Sequence, residues 1–93
     1  MRRAAKTDAN QTLIVAGLRA CGAKVLSLAA VGKGCPDILV IHPVKGLQLM
    51  EIKDGNKPPS ARALTPDQVE FHQHWPVTVV INVEQAIAAL TKQ

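Results

Sequence analysis

The chain has 93 residues, 47% of them hydrophobic, with 11 Lys and Arg against 7 Asp and Glu and a net charge of +4. That length suggests one domain with one modest core, and no apolar run reaches the ~20 residues that a membrane-spanning helix needs. The positive balance is compatible with a nucleic-acid partner, and it becomes more telling if some of the acids hold a metal and leave the remaining surface more basic.

The opening, MRRAAKTDANQ, has no apolar stretch behind its arginines, which argues against a secretory leader. Residues 1–7 read as a basic arm carrying Arg2, Arg3 and Lys6. Asp8 with Gln11 three residues on predicts a capping box. Leu13, Ile14, Val15, Leu18 and Cys21 follow at helical spacing, and Gly22 stops the helix. Residues 24–29, KVLSLA, predict a short strand, and AVGKGCP, with two glycines and a proline, predicts a turn. DILVIH (37–42) and LQLMEIK (47–53) are strands, and the short PVKG link between them predicts an antiparallel hairpin.

Residues 54–64, DGNKPPSARAL, read as a loop. Thr65-Pro66-Asp67-Gln68 is a helix start, with Thr65 as cap and Pro66 at the first helical position; the helix ends near Trp75 because Pro76 cannot continue it. VTVVI (77–81) is a β-branched strand. Asn82 and Gln85 predict a further capping box, and Val83, Ala86, Ile87 and Leu90 give an amphipathic last helix. The order is α-β-β-β-α-β-α over a single domain, 1–93. It is an α/β class fold with a mixed sheet of about four strands. Strands apolar on both faces call for helices on both sides. Phe71 and Trp75 are the only aromatics, so Leu, Ile, Val and Ala must fill the core. Cys21 and Cys35 are not a C-x-x-C pair and are expected as free thiols in a reducing cytoplasm.

Strand alternation puts Leu47, Leu49, Glu51 and Lys53 on one face and Gln48, Met50 and Ile52 on the other. The hairpin brings the start of one strand beside the end of the next, so Asp37 falls next to Glu51 and Lys53. Alone, Glu51 and Lys53 would be an ordinary surface ion pair worth ~0–1 kcal/mol. Asp37 beside them changes the reading. Two carboxylates suit a hard divalent cation such as Mg²⁺ or Mn²⁺, with the Ile52 carbonyl as a further ligand. An ammonium at the same point suits a developing phosphate charge. This is the chemistry of phosphodiester hydrolysis. His72 and His74 lie two apart on a helix and point about 200° apart, so they do not form a metal pair. Ser27, on the first strand, reads as an ordinary strand serine.

Pro36-Asp37, thirteen intervening residues, then Glu51-Ile52-Lys53 resembles the PD-(D/E)XK nuclease signature. The stretch GKGCPDILV…LQLMEIKDGNKPPSARALTPDQVEFH is similar to the small virus-type replication-repair nuclease (VRR-NUC) domains, many of them carried by phages, over roughly residues 8–82. The resemblance implies a restriction-endonuclease-like core and a Mg²⁺- or Mn²⁺-dependent deoxyribonuclease with Asp37, Glu51 and Lys53 at its centre, working in a bacterial host cell. It also assigns Gln68 to the active site, beside its role in capping the helix. In that family a glutamate on the first helix tends to reach the metal. Here the candidates are Gln11, on the face of Ile14 and Leu18, and then Asn10 or Asp8, which leaves one metal ion as the expectation.

DNA, duplex or branched, is the implied partner, with Arg2, Arg3, Lys6, Lys33, Lys57 and Arg62 as candidate phosphate contacts. Gly32 and Gly34 flank Lys33 and read either as a simple turn or as backbone donors to a phosphate. Two alternatives stay open: selectivity for branched DNA such as four-way junctions, and a non-catalytic nucleic-acid-binding module with the same fold. A homodimer is expected because a two-fold pair of centres matches antiparallel strands. Ile87 and Leu90 are a candidate contact for it, although packing on their own sheet is the preferred use.

Overall fold

The computed structural model describes residues 9–91, so Asp8 and the arm residues Arg2, Arg3 and Lys6 lie outside the described part. Helix α1 spans Ala9–Ala20. Ile14 and Leu18, one turn apart, are fully buried, whereas Leu13 is 61% exposed and Cys21 is exposed. The buried stripe is therefore narrower than the apolar spacing implied. At the helix end Gly22 N–H donates to the Arg19 carbonyl at 3.0 Å and Ala23 N–H to the Leu18 carbonyl at 3.1 Å. With Gly22 at φ 90° this is a Schellman close, which a glycine adopts without a Cβ penalty.

Four strands follow in one sheet of order β1-β2-β3-β4: β1 (Lys24–Ser27), β2 (Ile38–His42), β3 (Gly46–Ile52) and β4 (Val77–Val80). β1 and β2, and β2 and β3, pair antiparallel; β3 and β4 pair parallel. β1 ends two residues earlier than the apolar run, because the Ser27 hydroxyl accepts from Ala29 N–H at 3.3 Å and turns the chain away. The expected loop before α3 contains one helical turn, α2 (Pro59–Arg62), led by Pro59. α3 (Pro66–His74) and α4 (Val83–Thr91) complete the order. Asn82 caps α4 by accepting from Gln85 N–H at 2.8 Å, and the Gln85 side chain accepts from Ile81 N–H at 3.0 Å.

The core lies on one sheet face. Ile38, Val40, Met50, Ile52 and Val80 meet Ile14, Leu18, Ala86 and Leu90, all of them buried. Leu90 is spent in this core, so α4 packs on its own sheet. The other face carries the rows Leu26–Leu39–Leu49–Val77 and Lys24–Ile41–Leu47. Its cover is partial: α3 has no buried residue, and Leu26, Ile41 and Leu47 stay 59%, 47% and 67% exposed. A nine-residue helix is only about 13–14 Å long, and Pro76 ends its run before it crosses β2 and β1. Phe71 and Trp75, stacked at 5.7 Å, cover what they reach.

Asn10 ties α1 to the far end of this sheet. Its amide donates to the Lys53 carbonyl at 3.0 Å and to the Ile81 carbonyl at 3.2 Å, holding the chain just beyond β3 and β4. Asn10→Ala should lower unfolding stability by about 1–3 kcal/mol, since two part-buried carbonyls lose their donor. Urea denaturation checks this, and a loss below measurement error would mean that water replaces the amide at no cost.

Candidate active site

Four of the residues picked from the sequence converge at the end of β3. Asp37 stands just before β2, after the buried Pro36, and two bonds hold it there. Its carbonyl accepts from Leu28 N–H at 2.8 Å, and its carboxylate Oδ2 accepts from Ile52 N–H at 2.7 Å. The second is a short charge-assisted bond across the hairpin, so the acid's position is set by strand register.

Glu51 lies between Met50 and Ile52, and all three are buried. Met50 and Ile52 enter the core, whereas Glu51 points to the opposite face and is buried beneath the start of α3. It is 3% exposed. Its Oε2 accepts from Gln68 Nε2 at 3.2 Å and sits 3.9 Å from Lys53 Nζ, and its Oε1 has no hydrogen-bond partner. Burial, then the neighbouring Asp37 carboxyl, push its pKa up to about 8 against the opposing pull of Lys53.

Gln68 caps its helix and also reaches the two charged residues. Its Oε1 accepts from Thr65 N–H at 3.0 Å, completing the capping box of α3 with the Thr65 hydroxyl, which accepts from Gln68 N–H at 3.2 Å. The same oxygen accepts from Lys53 Nζ at 2.9 Å, while its Nε2 donates to Glu51. One amide thus fixes the helix start, the ammonium and the carboxylate together.

Lys33 and Lys57 are exposed, and Arg62 is half-buried with an unpartnered buried Nε. Gln11 is half-buried on α1, and Asn10, a less favoured candidate, donates to the Lys53 and Ile81 carbonyls at this end of the sheet. Sequence reasoning passed over Cys35, whose thiol pKa is raised by burial and by the nearby charges of Glu51 and Asp37.

The donor set suits a hard cation. Two neighbouring carboxylates, one with a buried unpartnered oxygen, are offset only in part by the Lys53 ammonium. Among the described residues no group of three or more His, Cys, Asp or Glu side chains is placed to hold a metal. Two side chains are therefore available and leave the remaining positions to backbone carbonyl and water, the usual pattern for Mg²⁺.

A pH dependence follows. Glu51 has a folded pKa raised above its unfolded value of 4.5, so the stabilisation it contributes is complete below 4.5 and is lost as pH rises towards about 8. In the absence of divalent metal, melting temperature should fall across that window. Glu51→Gln should flatten the fall and melt higher than wild type at pH 8. Equal slopes for the two proteins in thermal melts from pH 4 to 9 would show that another group governs the pH response.

No family model matches the chain, and no curated protein sequence does. A solved structure described as a VRR_NUC domain does match: it aligns over 88% of this chain and 90% of that chain, with a TM-score of 0.60 and 28% identical residues. The mixed four-stranded sheet and the helix order are those expected from the motif. The chain has a VRR-NUC-like fold of the PD-(D/E)XK type.

Proposed function

We propose that the protein is a metal-dependent DNA endonuclease. One observation carries the reading: Asp37 and Glu51 meet at a sheet end with a buried carboxylate oxygen unpartnered and the Lys53 ammonium beside them. A surface that only bound phosphate would not gather carboxylates against it. The likeness to a VRR_NUC domain supports the same reading.

In this mechanism Asp37, Glu51 and the Ile52 carbonyl would hold Mg²⁺ or Mn²⁺. When bound, the ion would supply Lewis-acid polarisation of a phosphoryl oxygen and a water of lowered pKa. Glu51 would hold the ion as its carboxylate, the proton it carries in the metal-free protein passing to solvent. The Lys53 side chain is only 14% exposed; its Nζ is kept in place by Gln68 and meets the charge that develops on the phosphate. Gln68 holds carboxylate and ammonium in fixed relation, so little reorganisation accompanies the reaction. Lys33, Lys57 and Arg62, with Arg2, Arg3 and Lys6 of the arm, take the flanking phosphates of duplex or branched DNA.

Incubation with supercoiled, linear, single-stranded and four-way-junction DNA, in Mg²⁺, Mn²⁺ or Ca²⁺, tests the proposal. Cleavage is expected in Mg²⁺ or Mn²⁺, and a preference for the junction would add branched-DNA selectivity. Asp37→Ala and Glu51→Ala should each remove cleavage and metal binding while keeping the fold. Lys53→Ala should lower the rate by roughly a hundredfold or more with metal affinity unchanged. No cleavage of any substrate, or wild-type rates in either carboxylate variant, would overturn the assignment.

The same proposal includes a homodimer, formed through the open sheet face. Leu26, Ile41, Leu47, Trp75 and Val79 expose between 41% and 67% of their surface there. Leu47 and Trp75 flank a groove of about 520 Å³ that Leu39, Leu49 and Phe71 also line. The exposed apolar area is on the order of 500 Å² per copy, and two copies together reach the roughly 1,000 Å² of a specific interface. The apolar rows offer nothing to phosphate. Light scattering at micromolar concentration should give twice 9.9 kDa, with Leu47→Glu reverting to 9.9 kDa. A wild-type mass of 9.9 kDa would overturn the dimer.

A further inference from the structure

The turn that delivers Asp37 has an unusual backbone. Gly32, Lys33 and Gly34 have φ of 76°, 55° and 80°, three successive left-handed residues, and Cys35 N–H closes the turn on the Gly32 carbonyl at 3.1 Å. Among the described residues Lys33 is the one non-glycine at positive φ. The left-handed conformation explains glycine at 32 and 34 equally well. Their surroundings differ. A methyl group added at Gly32 meets nothing within 4 Å, whereas one added at Gly34 would collide with the Asp67 carbonyl and lie 2.8 Å from the Gln68 backbone nitrogen. Gly34 is thus pressed against the first turn of α3.

That first turn carries Gln68, whose side chain spans Thr65, Lys53 and Glu51. We infer that Gly34 is a positioning residue for the site. Its bare Cα sets how closely α3 starts over the end of β3, and so whether the Gln68 amide reaches both the ammonium and the carboxylate. Residues 32–37 then do two jobs: they place the Asp37 carboxylate, and they seat the helix that holds its two partners. For catalysis the inference rests on the nuclease reading above; the geometric part stands without it.

Gly32→Ala is the control, because it carries the same φ strain without the contact. Cleavage by Gly34→Ala should fall by roughly ten- to a hundredfold, since a sub-ångström shift of a positioning group costs that much, while Gly32→Ala stays within about threefold of wild type. In a Gln68→Ala background, Gly34→Ala should cost less than about threefold more, because the effect passes through Gln68. Equal losses at 32 and 34, or an undiminished loss without Gln68, would overturn the inference and leave only backbone strain. A readout that needs no activity separates this from the nuclease reading. In metal-free protein the Gln68 side-chain amide resonances should move in Gly34→Ala and not in Gly32→Ala; unmoved resonances overturn the inference. Should Gly34→Ala fail to fold, wild-type nuclear Overhauser contacts between the Gly34 α-protons and the Gln68 amide decide it, their absence being the overturning result.

Discussion

A carboxylate that is 3% exposed, with one oxygen unpartnered, is the constraint around which this small structure is arranged. Removing a charge from water is costly unless a partner compensates, and Glu51 in the metal-free protein meets the cost by holding a proton to about pH 8. Asp37 makes the demand sharper. Its own carboxylate is pinned by Ile52 N–H at 2.7 Å and cannot swing away from Glu51. Lys53 and Gln68 offset part of the charge from one side. What remains is a pair of carboxylates suited to a small cation, held at a strand end that folding has already rigidified.

The rigidity comes from β3. Met50 and Ile52 lock into the core on one face, so Glu51 between them has no choice of direction. Parallel pairing with β4 continues to the site, since Glu51 stands opposite Val79 and Lys53 N–H donates to the Val80 carbonyl at 3.0 Å. Asn10 then joins the chain beyond both strands to α1. The first helix contributes an amide that braces the strand end rather than an acid that would enlarge the anionic cluster.

Alternation and hairpin geometry made much of this legible in the sequence. They placed Asp37 beside Glu51 and Lys53, and the resemblance brought in Gln68, whose capping and bridging roles proved to be one geometry. Strand bounds strayed by one or two residues where a side chain intervened, as Ser27 does at the end of β1. Other features lay beyond pattern reading for a physical reason. Periodicity says which residues share a face, but not whether a later helix is long enough to cover it, so the exposure of Leu26 and Leu47 was invisible. The spacing that made Leu13 look like a core residue carries no information on where the helix axis sits. Gly34 looked like any turn glycine, because a close approach to residue 67 is a property of tertiary packing and leaves no local mark.

Helix α3 shows how the site and the open face depend on one another. It must start at Thr65, over the end of β3, for Gln68 to reach Glu51 and Lys53, and Pro76 must end it so that β4 can enter parallel to β3. A helix confined between those limits cannot extend over β2 and β1, and Phe71 and Trp75 are all the cover that it can offer. A longer helix would bury Leu47 and Ile41, but only by shifting its first turn away from the carboxylates or by displacing β4. The exposed apolar rows are therefore a consequence of how the site is held. A chain of this size, with one modest core, has reason to recover that lost burial against another surface.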